Sequence, residues 1–158
     1  MELISKEEIE KITQEVIDKF VIPDFNNRGH NASGQWIESL EARADINKGI
    51  IRGTDYTQYL ATGSEPQQGK SNKELLAWAG WYGKNVFESW VESKGLNINP
   101  YAVAFNIAKY GSKTYRDGGS DFLQILESDE VKEFILSRLT SVIVVNVRNI
   151  ILEDLKKL

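Results

Sequence analysis

The sequence predicts an α+β fold: a long N-terminal helix and further helices packed on a small antiparallel sheet containing a β-hairpin. Three observations carry this expectation. Ser5 and Glu8 make an S-x-x-E capping box ahead of a run with helical spacing. Leu40, Ala42, Ala44 and Ile46 alternate with charged residues and lead into Asn47-Lys48-Gly49, which supplies turn chemistry. Ser71 to Glu92 repeats an apolar stripe over a second long helix. The chain has 158 residues, 41% apolar and 27% charged, so one domain spanning 1–158 is expected. At this size roughly 70% of the unfolded surface can be buried.

In the first helix Ile9, Ile12, Val16 and Phe20 share a face, and Pro23 is the expected stop. Asp24 to Gly34, rich in Asn and Gly, reads as a connection in which His30 is a solvated loop residue. Hairpin strands are expected near 39–46 and 50–56, with one face buried under a helix. The next helix takes Ser71 or Asn72 as its cap and Gly95 as its end, with Leu75, Leu76, Trp78, Ala79, Tyr82, Val86 and Trp90 along its stripe. Trp78, Trp81 and Trp90 read as core packing, with a subunit contact as the sharper alternative.

Pro100 opens a shorter helix with Val103, Ile107 and Ala108 inward, ending at Gly111. Residues 112–122 read as a loop with paired glycines, because Asp117 and Asp121 lack the spacing of a calcium loop. From Phe122 onward, Val131, Phe134, Ile135, Leu139, Val142, Ile143, Ile150, Ile151 and Leu155 fit a helical face. The segment SVIVVNV is rich in strand formers, but the length without a turn signal predicts helix; a strand near 141–148 is the alternative.

Composition narrows the chemistry. With no cysteine and a single histidine, His30, disulfides and thiolate sites are excluded, and neither metal nor cofactor is expected. The first residues are acidic and unlike a secretory signal, and the longest apolar run, Val142 to Val145, is too short for a bilayer. Folding in a reducing cytoplasm, with no membrane partner, is the expectation. A net charge of −4 and pI near 5.1 weigh against bulk attraction to phosphate backbones.

One stretch imitates a phosphate loop. GSEPQQGKS, Gly63 to Ser71, has five residues rather than four between its glycines, Ser64 where the required glycine would stand, and Pro66 removing an N–H donor. A polar surface loop ending in a helix start is the plainer reading. Ser33 and Ser39 have only His30 as a conceivable base, which makes no triad, so no catalysis is expected.

Two segments flank the hairpin: Ser33-Gly34-Gln35-Trp36-Ile37-Glu38-Ser39-Leu40 before it and Tyr56-Thr57-Gln58-Tyr59-Leu60-Ala61-Thr62-Gly63 after it. In order and distance, over roughly residues 1–63, the chain resembles the minor-tail and tail-completion proteins in the neck of tailed bacteriophages. Those proteins carry T-G-x-L-x-x-S-I leading into a strand and Y-A-x-x-V-E-x-G leading into a variable loop. Here Ser replaces Thr, Trp replaces Leu and Leu replaces Ile; Ala61 stands where the family often has Glu, and the 71–92 helix is longer than the family's.

The resemblance implies a structural virion protein made in the host cytoplasm and built into the neck or tail junction. Family members form closed rings, usually six- or twelve-fold, between a portal or adaptor and the tail tube. Partners would be other copies of the chain and those neighbours, with DNA only as passing cargo. Gly63 would be the family's turn glycine. Interface residues expected on this basis are Trp36, Tyr56 and Tyr59, Asn47 and Lys48 at the hairpin turn, Gly63, Gln67 and Lys70 in the first loop, and Lys113, Tyr115 and Arg116 in the second. Removing residues 63–70 should leave the fold intact and damage assembly. Two other readings are a nucleotide-binding protein using Lys70 and Ser71, which needs a strand directly before the loop, and a single-stranded nucleic-acid adaptor stacking Trp and Tyr beside Lys84, Lys94, Lys109 and Lys113.

Overall fold

The computed structural model describes residues 3–28 and 34–156; His30 and Ser33 lie outside the described residues. In chain order, α1 (Lys6–Val16) runs through a π turn, Ile17–Val21, into α2 (Ile22–Asn27). Then come α3 (Gln35–Glu38), β1 (Glu41–Asp45), β2 (Lys48–Arg52), α4 (Tyr56–Thr62) and α5 (Asn72–Tyr82). A second π turn, Gly83–Phe87, joins α5 to α6 (Glu88–Ser93), followed by α7 (Pro100–Tyr110), α8 (Lys113–Arg116), a 3₁₀ turn (Gln124–Glu127) and α9 (Asp129–Leu155). The class is α+β as expected, with one two-stranded antiparallel sheet among the described residues. Two compact units form: Met1–Arg28, Ile37–Thr54 and Leu123–Leu158 make the first, and Gly29–Trp36 with Asp55–Phe122 makes the second.

The first unit begins with the expected capping box. Glu8 N–H donates to Ser5 Oγ at 3.2 Å, and Ser5 N–H donates to Glu8 Oε2 at 2.8 Å. Ile9, Ile12, Val16, Ile17 and Val21 are buried along this helix. Pro23 does not stop it. Ile22 N–H donates to Ile17 O, five residues back, and this widened turn relieves the clash a proline otherwise makes with the carbonyl four back. The helix therefore continues to Asn27, inside the stretch expected to be a connection.

The hairpin is shorter than expected. Asp45 pairs with Lys48, which leaves Ile46 and Asn47 as a two-residue turn and moves Lys48 and Gly49 into β2. Asn47 supplies the left-handed conformation, φ 55°, and Asp45 Oδ1 accepts the Ile46 N–H at 2.8 Å. β2 ends at Arg52, and residue 56 already opens a helix. Helix α1 covers the hairpin. A Cβ at Gly49 would stand 2.3 Å from Thr13 Oγ1, so the absent side chain is what lets β2 approach the helix.

Helix α9 is continuous through 141–148, so the strand alternative is not realised. It runs antiparallel to α1: Arg138 pairs with Glu15, and Asn146 Nδ2 donates to Leu3 O at 2.9 Å. Past Asn146 the helix has cleared the N-terminal end of α1. Of the apolar face expected to be inward, Val131 is buried, whereas Ile151 and Leu155 are exposed.

In the second unit Ser71 and Glu74 form another capping box. The helix passes through the π turn and ends at Gly95 in a Schellman arrangement, with Leu96 N–H on Val91 O and Gly95 N–H on Glu92 O, both at 3.0 Å. Helix α7 packs on α5. Asn99 caps it and Gly111 closes it, but the fully buried residues are Ala104 and Ala108, with Val103 and Ile107 only half-buried. Ala108 is buried as expected; close helix packing favours the smallest side chains at the contact, so Ala104 joins it there in place of Val103 and Ile107. The same closeness holds at Gly83, where a Cβ would stand 2.7 Å from the Tyr101 ring.

Candidate assembly interface

The two loops expected to make contacts are joined within the second unit. Gly63 ends α4 with φ 76° and ψ 178°, a conformation open almost only to glycine. It is buried, and a Cβ there would stand 2.3 Å from Tyr115 N and 2.5 Å from Ser112 Oγ. The next residue locks the crossing. Ser64 N–H donates to Ser112 Oγ and Ser112 N–H donates to Ser64 O, each at 2.9 Å. Gln67 N–H then donates to Ala108 O at 2.7 Å.

On the far side of α8, Ser120 Oγ donates to Leu60 O at 2.7 Å and Ser120 N–H to Ala61 O at 2.8 Å, satisfying carbonyls that α4 leaves open. Arg116 donates to Gly111 O at 3.2 Å, and Lys113 pairs with Asp117. Gly63, Gln67, Lys113, Tyr115 and Arg116 are thereby brought into one clasp. Within it Gly63 is buried, Gln67 and Tyr115 are half-buried, and Lys113 and Arg116 are exposed.

The remaining expected residues lie elsewhere. Trp36 is buried: its Nε1–H donates to Thr57 Oγ1 at 2.9 Å and its ring meets Phe122 edge-on at 5.0 Å. It organises the interior of the second unit. Tyr56 opens α4 and Tyr59 is exposed on it; Asn47 and Lys48 are exposed at the hairpin end of the first unit.

The loop over 63–70 has two parts. Residues 63–67 are bonded into the second unit and 68–70 are exposed. Only removal of the outer part would leave the fold undisturbed, which narrows the deletion expected to be tolerated. Lys70 lies 3.6 Å from Glu74, and Ser71 N–H and Oγ both donate to Glu74 Oε2 at 2.8 Å. The bond from the Ser71 backbone, followed by those from its hydroxyl and the charge of Lys70, holds the Glu74 carboxyl below the usual carboxylate range. Helix α4, not a strand, leads into this loop.

Sequence reasoning missed the most exposed apolar side chains. Ile46, at 70% exposure, occupies the hairpin turn rather than the apolar face of β1. Trp81 is 58% exposed because it stands two residues from the buried Ala79, about 200° around α5. The spacing itself was the available signal. On distal α9, Val144, Val147, Ile151 and Leu155 are exposed together. Within Asp129–Glu153 an 18-residue window has mean hydropathy 1.5, so by length and composition this helix is long and apolar enough to cross a membrane. Among the described residues no group of three or more potential metal ligands comes together.

No protein-family model, curated protein or solved structure matches this chain.

Proposed function

We propose that this chain is a structural protein of the neck or tail junction of a tailed bacteriophage, acting by ring assembly with copies of itself between a portal or adaptor and the tail tube. One observation carries the assembly part: among the described residues eighteen large apolar side chains are exposed, against fifteen apolar residues buried. Exposed apolar area of this extent, with seven of the eighteen side chains on α9, favours association.

The order of the motifs around the hairpin supports the phage assignment. So does Gly63, which closes α4 in the role of a turn glycine. Catalysis and cofactors have no part in this reading, and DNA is passing cargo. Light scattering of the purified protein over a range of concentrations, with electron microscopy of large species, tests it. Closed rings of six or twelve copies are expected. A strict monomer that also captures no portal or tail protein would overturn it.

A further inference from the structure

Independently of how the chain assembles, we propose that the outer edge of β2 takes up an extended segment of a partner protein as a third strand, one in which apolar residues alternate with acidic ones. The ladder closes on the Asp45–Lys48 pair, so the bonded pairs fall at Lys48, Ile50 and Arg52, and Gly49 and Ile51 turn their N–H and C=O groups away from β1. Gly49 is exposed and Ile51 half-buried, and among the described residues no backbone bond outside the hairpin reaches either. Donors and acceptors therefore stand open along one edge, which is what strand addition uses.

A groove of about 460 Å³ lies beside this edge. Three elements of the first unit enclose it: α1 through Ile12 and Val16, α9 through Ile135 and Leu139, and β2 through Gly49 and Ile51. No charged side chain lines it. An added strand turns alternate side chains to opposite faces. Those on the α1 side enter the groove and must be apolar.

On the other face the incoming residues stand beside Lys48 and Arg52, both exposed and neither in an ion pair among the described residues. Their neighbours across the ladder are already engaged, Asp45 with Lys6 at 3.9 Å and Glu41 with Arg43 at 2.9 Å. The hairpin face is thus net cationic, and it favours acidic residues opposite Lys48 and Arg52. The order that fits is acidic, apolar, free, apolar, acidic. Glu41 to Asp45 of a second copy has this order, but α1 packs on its apolar face and would meet α9 in the groove. The occupant is a segment with no helix of its own on that face.

Titration of the isotope-labelled full chain with the synthetic peptide acetyl-SEVTVES-amide, followed by amide hydrogen exchange, tests this. Slowed exchange at the Gly49 and Ile51 amides is expected, and acetyl-SKVTVKS-amide should bind about tenfold more weakly. In the Lys48→Glu, Arg52→Glu chain, once circular dichroism shows it folded, that preference should invert. Equal binding of the two peptides, or binding that leaves both amides unprotected, would reduce the site to an unselective apolar groove and overturn the proposal, as would no binding at millimolar peptide. Protection that arises without peptide and grows with chain concentration would make a second copy the occupant and overturn it too. None of these outcomes bears on ring formation, which light scattering reads separately.

Discussion

Ser64 and Ser112, 48 positions apart, exchange two hydrogen bonds of 2.9 Å, one to a side-chain oxygen and one to a backbone carbonyl. Ser112 Oγ also accepts the Tyr115 N–H at 3.2 Å, so one hydroxyl both caps α8 and holds the loop after α4. Ser112→Ala removes this one acceptor and leaves two part-buried N–H donors, of Ser64 and Tyr115, without it. A loss of about 1–2 kcal/mol is expected in urea denaturation. An unchanged midpoint would mean that solvent substitutes for the hydroxyl.

Gly63→Ala should be far more damaging than Gly69→Ala, although both glycines have positive φ, 76° and 72°. At Gly63 the new methyl meets backbone, whereas nothing lies within 4 Å of its position at Gly69. About 1 kcal/mol is expected at Gly69 from the left-handed conformation alone, and about 3 kcal/mol or more at Gly63. Thermal unfolding of the two variants side by side makes the comparison, and equal losses would contradict the clasp.

The contact between β2 and α1 can be isolated by a double-mutant cycle. Gly49→Ala should cost about 1–3 kcal/mol because its methyl would lie 2.3 Å from Thr13 Oγ1, but 3.5 Å from Thr13 Cβ. In a Thr13→Ala background the clash disappears, so the second substitution should be nearly neutral. A coupling of at least about 0.5 kcal/mol in chemical denaturation is the expected outcome.

Acid titration should report the pair that joins α1 to α9. The hydrogen bond from Arg138 is the first cause holding the Glu15 carboxyl below the usual carboxylate range, with its charge adding to the effect. Because the folded value is depressed, the stabilisation is fully present above the unfolded value, about 4.3, and is lost as pH falls through the folded value. Glu15→Gln should flatten the dependence of the urea midpoint on pH below about 4.3. Part of the slope should remain, since Glu7 and Glu74 are shifted in the same direction by bonds at their helix starts.

Local chemistry made much of this fold legible. Ser5 with Glu8, Ser71 as a cap, Pro100 at a helix start and the terminating Gly95 and Gly111 each act within a few residues, and each was readable as a string. The π turns at Ile17–Val21 and Gly83–Phe87 were not, because one extra residue in a turn barely disturbs an apolar stripe. Helix α4 was hidden within a motif attached to the hairpin, and α8 within a glycine-rich loop. The clasp depends on partners nearly fifty positions apart, and no periodicity reveals such a pairing. Trp36 shows the limit for site residues: its place in a motif suggested an interface, whereas burial against Phe122 gives it an interior role.

The order of the segments has a consequence for synthesis on the ribosome. The second unit is an uninterrupted piece of chain apart from its short opening segment, so it can close as soon as Phe122 has emerged. The first unit cannot. Its earliest helix, α1, meets α9 through Glu15 and Arg138, 123 positions apart, so the unit cannot close before α9 has emerged. Until then the nascent hairpin and α1 must hold together with one flank uncovered, at a stage when the second unit can already be closed.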